Sequence, residues 1–182
     1  MDSAFQVLSW LGVAVLTLAH VQIACGWSKS LAHKVSTLGG VIAAIAAAGL
    51  SLWSVVALNV AWSLLNLSGI SVAERRVEQR HSWIFLLSSH TLALSFATYH
   101  SSEATSWMCS ILYVLLGLLF ALAKITREQY LSGCILVSVF LVPALWQLGG
   151  FAFAANEMLG AFIAFFGLWR AGFFRVPDIN PK

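Results

Sequence analysis

Residues 35–73 carry no charged side chain. As one α-helix this 39-residue run would be about 58 Å long, roughly twice the hydrocarbon thickness of a bilayer. It has to fold back on itself, and Gly49-Leu50-Ser51-Leu52 is the expected turn. Two further apolar runs have the same problem. Residues 81–123 are expected to turn at His100-Ser101-Ser102-Glu103, and residues 129–169 at Gln147-Leu148-Gly149-Gly150, where paired glycines suit a tight turn. Residues 4–26 add one crossing. The sum is seven transmembrane helices, at 5–26, 34–50, 53–71, 82–99, 106–124, 128–147 and 151–170.

Composition agrees. Apolar residues make up 60% of the chain and charged residues 9%, with a mean hydropathy of +0.87. Soluble domains are about one quarter charged. The balance excludes a water-soluble globule, a disordered tail, a nucleic-acid binder and a disulfide-stapled secreted module. The chain reads as an all-α, polytopic membrane protein whose first partner is the lipid bilayer. Asp2 has the wrong sign for a signal-peptide n-region, so the first helix is expected to be retained.

All ten Lys and Arg residues fall into four clusters: Lys29 with Lys34; Arg75, Arg76 and Arg80; Lys124 with Arg127; and Arg170, Arg175 and Lys182. Seven crossings bring all four to one side and leave Asp2 and Glu103 on the other. By the positive-inside rule the N-terminus lies outside and the C-terminus in the cytoplasm, most plausibly at a bacterial inner membrane. The net charge of +3 then reflects topological anchors. Cys25, Cys109 and Cys134 show no metal or redox spacing and read as packing residues, so no metal is expected. No P-loop, HExxH, GxSxG or dinucleotide fingerprint occurs, and the loops are too short for a catalytic domain; no enzyme and no cofactor is expected.

The runs also suggest a repeat. Gly40 and Gly133 are 93 residues apart, as are Trp53 and Trp146, and Asn59 and Asn156 match at 97 after an insertion in the second turn. This divides the chain into a first three-helix bundle (1–73), a linker helix with its flanks (74–104), a second three-helix bundle (105–172) and a cytoplasmic tail (173–182). Three helices, one linker and three more give both bundles the same orientation, a parallel repeat about an axis near the membrane normal.

Within residues 6–72, Trp10-Leu11-Gly12 with Ala19, Leu38-Gly39-Gly40, and the stretch Trp53-Ser54-Val55-Val56-Ala57-Leu58-Asn59-Val60-Ala61-Trp62 resemble the CBU-type domain, a small uncharacterised three-helix bacterial membrane domain. At the level of topology the whole chain also resembles the SWEET and PQ-loop transporters, which share the 3+1+3 plan with the N-terminus outside. That resemblance implies substrate-facing asparagines on the third and seventh helices, positions that Asn59 and Asn156 could fill here. The chain departs from the pattern in lacking a Pro-Gln motif and in having Pro143 as the one proline inside an apolar run. A non-transporting descendant of the same plan stays open.

Polar groups in lipid need a partner or a purpose. Glu157 is the sharpest, six residues into its helix beside Asn156; it reads as a coupling or cation site, or as a snorkelling side chain. Asn59 and Asn156 read as ligands at the repeat interface or as inter-helix glue, worth roughly 0.6–2 kcal/mol per bond. Trp62 lies one turn below Asn59 and is the candidate for stacking on a ligand. The expected substrate-binding set is Asn59, Trp62, Asn156 and Glu157, taking a small polar solute. His20 and His90 fall at comparable depth and could ligate a b-type haem as a remote alternative. The other partners to weigh are a larger membrane complex, in which the chain would be an accessory or scaffold subunit, or a homo-oligomer. No nucleic acid is expected.

Overall fold

The computed structural model describes residues 2–24, 29–67, 101–122 and 124–172, together with Ser88, Thr91, Leu92, Leu94 and Ser95. It is all-helical: α1 (Asp2–Ala24), α2 (Lys29–Gly49), α3 (Trp53–Leu67), α4 (Ser102–Ala121), α5 (Arg127–Gln147) and α6 (Phe151–Arg170). The five isolated residues are also helical, but the expected linker helix at 82–99 otherwise lies outside the described residues, as do Cys25, His90 and the cluster Arg75, Arg76 and Arg80. All the helices except α3 are long and apolar enough to cross a membrane, and the apolar stretch of α3 runs over Trp53–Asn66. The chain is an integral membrane protein.

Helix starts differ from the sequence expectation because polar caps set them. Ser101 accepts a hydrogen bond from the Ala104 amide, which starts α4 at Ser102 rather than 106. Thr126 and Gln129 form a capping box at the start of α5. Helix α2 starts at Lys29, so Lys34 lies inside it rather than at its end.

Each helix packs against its neighbours in chain order, and α6 returns to α1, so the six close into a ring. Small residues set the α1–α2 spacing. A Cβ on Gly12 would stand 2.9 Å from the Ala43 backbone nitrogen, and one on Gly39 2.9 Å from that of Leu16. Backbones this close maximise dispersion contact where lipid offers no hydrophobic drive.

The hairpin tips α2–α3 and α5–α6 are built alike. The Leu50 amide bonds Ala46 C=O at 3.1 Å, and Leu148 bonds Ala144 at 3.1 Å; Leu52 bonds Ala47 at 2.9 Å, and Gly150 bonds Leu145 at 2.9 Å. Ser51 (φ 60°) and Gly149 (φ 77°) both adopt the left-handed conformation this helix stop requires. Every pair is 98 residues apart. In the first helices the match is 97: Ser9 and Ser106 are buried, whereas Trp10 and Trp107 are exposed. The register read from tryptophans and glycines is therefore corrected by five. Trp53 opens α3, after its turn, whereas Trp146 lies before the other turn, near the end of α5. Interfacial tryptophan marks depth, not register. At 98, Asn59 is level with Glu157, Gly40 with Ser138, and Trp62 with Gly160.

Ser51 tests this geometry. A left-handed L-residue costs about 1 kcal/mol relative to glycine. Ser51→Gly is expected to raise the unfolding free energy by up to ~1 kcal/mol and Gly149→Ala to lower it by ~1 kcal/mol. Equilibrium unfolding in mixed micelles reads both; shifts of the same sign would contradict the shared turn.

The direction of the halves follows from two contacts. Ser54 on α3 meets Ser106 on α4, Oγ to Oγ at 2.7 Å. Further along both helices, Trp62 lies over Gly117. Helices α3 and α4 therefore run parallel. Both hairpin tips and Glu103 lie at one end of the ring, and Lys29, Lys124, Arg127 and Arg170 at the other.

Candidate functional site

The first half carries buried Asn59 at mid-depth and a side-chain network at its basic end. There the His33 ring nitrogen Nδ1 lies 2.9 Å from Asn66 Oδ1, and Asn66 Nδ2 donates to Ser36 Oγ at 3.0 Å. This ties α2 to α3 next to the headgroup level, where water tolerates a half-buried histidine. Asn59 is buried, and its Nδ2 donates to Val55 C=O at 2.9 Å, one turn back on its own helix. That bond satisfies the amide locally, and the residue faces α2, where a Cβ on Gly40 would stand 3.4 Å from Asn59 C=O.

The second half differs: its basic end carries the Thr126–Gln129 capping box, and at mid-depth Tyr113 of α4, Ser138 of α5 and Glu157 of α6 come together. The Tyr113 hydroxyl lies 2.7 Å from Ser138 Oγ and 3.1 Å from Cys134 C=O. The Glu157 carboxylate of α6 lies close enough to this hydroxyl to act on it electrostatically. One hydroxyl proton thus has two acceptors on α5 within reach, with the carboxylate of α6 nearby. Asn156 Nδ2 donates to Glu157 Oε1 at 3.5 Å, while Asn156 Oδ1 is buried with no partner among the described residues. Matching positions in the first half, at 98 and 97, hold Asn59, Gly40 and Leu16. The scaffold packs there without a carboxylate or a phenol, so the polar centre of the second half is an addition to the fold rather than a requirement of it.

Trp62 occupies the seam between halves. A Cβ on Gly117 would come within 2.7 Å of its indole. The ring fills the notch that glycine leaves and joins α3 to α4.

The four residues expected to bind solute therefore fall in three places: Asn59 in the α2–α3 interface, Trp62 in the α3–α4 seam, and Asn156 with Glu157 in the second half. Helices α3 and α6 are not neighbours in the ring. Sequence reasoning missed Tyr113 and Ser138. Comparing the halves at 98 and 97 would have exposed both, because each replaces a non-polar counterpart. Cys109 and Cys134 are free and buried. Among the described residues no group of His, Cys, Asp or Glu gathers as metal ligands do. His20 lies on α1, but the haem pairing cannot be placed because His90 is outside the described residues.

Comparison with protein-family models, with curated proteins and with solved structures finds no match to this chain.

Proposed function

We propose that this protein is a small solute carrier of the 3+1+3 plan, not an enzyme, and that it works through the polar centre of its second half. The plan rests on the parallel run of α3 and α4. Helix α3 ends at the basic end of the ring and α4 begins at the opposite end. The 34 residues from 68 to 101 have to regain the far side, and at about 1.5 Å per residue one crossing helix suffices. That makes seven crossings and two like-oriented bundles, as the SWEET resemblance implies. The positive-inside rule then puts the N-terminus outside and the basic end in the cytoplasm, with a bacterial inner membrane as the setting.

The observation that carries the carrier reading is the Glu157–Tyr113–Ser138 convergence at mid-depth with Asn156 Oδ1 left unpaired beside it. Ionisable groups in the membrane interior are expensive, and they mark solute or proton paths. Trp62 joins the halves and Asn59 packs within the first half in this reading; Asn156 and Glu157 touch the solute.

Uptake into proteoliposomes tests it. Asn156→Leu is expected to abolish uptake while insertion and expression stay at wild-type level. Unchanged uptake removes Asn156 from the mechanism. Gentle extraction separates the carrier from a scaffold subunit: a monodisperse monomer or homodimer fits the carrier, whereas a stoichiometric complex with other chains fits the subunit.

A further inference from the structure

The two seams of the ring are not filled alike. At the α3–α4 seam the Trp62 indole closes on Gly117. At the α6–α1 seam the 98 and 97 registers put Gly160 in place of Trp62 and His20 in place of Gly117. A Cβ placed on Gly160 would meet no atom of the described residues within 4 Å. Gly160 is half-buried. It shares a face with Phe153, Glu157 and Ala164, at i−7, i−3 and i+4, and Phe153 and Ala164 are both buried. The lipid-facing residues of α6 are Met158, Leu159, Phe162, Phe165, Phe166 and Trp169, on the opposite side. Among the described residues, the second seam thus leaves open the space at Gly160 where its counterpart holds an indole.

The gap borders acceptors. Asn156 is one turn before Gly160, with Oδ1 buried and unpaired. Glu157 is a turn away on the same face, its Oε1 3.5 Å from Asn156 Nδ2.

We propose that the gap at Gly160 is a binding site for a small planar organic cation, of about indole size or less, that donates hydrogen bonds to Asn156 Oδ1 and the Glu157 carboxylate. This rests on the carrier reading for its purpose, and it names the substrate class. A donor-bearing cation supplies what the site lacks: a proton for the orphan amide oxygen and a countercharge for an intramembrane carboxylate. An anion or a purely accepting solute would meet two acceptors and be rejected.

The test is binding to the purified full-length protein, with benzamidine as the probe and benzamide as its neutral isostere. Benzamidine is expected to raise the thermal unfolding midpoint saturably and to bind about tenfold or more tighter than benzamide. Gly160→Trp is expected to abolish binding while keeping or raising the midpoint of the unliganded protein, because the new indole occupies the gap as Trp62 does its own. Gly160→Leu, which is smaller, should weaken binding without lowering the midpoint, and Asn156→Leu should weaken it as well. A wild-type protein that binds benzamide as well as benzamidine overturns the proposal. So does a Gly160→Trp protein that still binds, or one whose midpoint falls, since the space is then already filled. Binding without any uptake would end the carrier reading and leave this site standing; uptake of other solutes with no benzamidine binding would do the reverse.

Discussion

Gly12→Val is expected to abolish the folded state in mild detergent, and Gly39→Val to do nearly the same. In both cases the first atom added meets backbone: the Ala43 nitrogen at 2.9 Å and the Leu16 nitrogen at 2.9 Å. A side-chain neighbour can rotate away, but a helix backbone cannot, so α1 and α2 must separate along their whole contact. Overpacking a core costs about 1–3 kcal/mol where side chains can yield. Here we expect about 3 kcal/mol or more, on the order of a hundredfold in the folded population. Even Gly12→Ala should be measurably destabilised. Unfolding in mixed micelles, read by tryptophan fluorescence, checks this; a Gly12→Val protein as stable as wild type would mean that α1 and α2 do not meet as described.

The second large effect concerns the α3–α4 seam. Gly117→Leu drives side-chain atoms into the Trp62 indole and should cost about 2–3 kcal/mol. Trp62→Ala empties the same space and should cost about 3 kcal/mol. Combined, the two changes are expected to recover more than half of their summed cost, because the new leucine fills the vacated volume. Additive losses would show that the residues do not share a space. The same double mutant separates a packing Trp62 from a ligand-stacking one: rescue of stability together with retained uptake fits packing alone.

Most of the fold is legible in the sequence because lipid simplifies the problem. A charge-free run too long for one helix must contain a turn, and each turn expected from Gly49 to Leu52 and from Gln147 to Gly150 occurs. Among the described residues, Lys29, Lys124, Arg127 and Arg170 gather at one end of the ring. The register of the repeat was less legible. Trp53 and Trp146 look equivalent because both sit near the same membrane surface, but they lie on opposite sides of their turns. Hydrogen bonding fixes the turn itself at 98, where serine at 51 faces glycine at 149; side-chain identity hides that match because Ser51 accepts a conformation usually left to glycine.

The candidate site was half legible. Glu157 and Asn156 stand out as polar residues in an apolar helix. Tyr113 and Ser138 do not, because an isolated tyrosine or serine is ordinary in a membrane helix and only tertiary packing brings the two together. The basic-end network of His33, Ser36 and Asn66 was invisible for the same reason: its partners are about thirty residues apart in sequence. Gly160 drew no notice because the meaning of a glycine lies in what surrounds it.

The central claim is that two like-oriented halves span the membrane, with both hairpin tips on one face. Thiol labelling tests it most directly, in sealed vesicles with a membrane-impermeant maleimide and in a background in which Cys25, Cys109 and Cys134 are replaced by alanine. Ser51→Cys and Glu103→Cys should label from one side, and Lys34→Cys and Lys124→Cys only from the other. Labelling of Ser51→Cys and Glu103→Cys from opposite sides would invert one half relative to its mate and contradict the account.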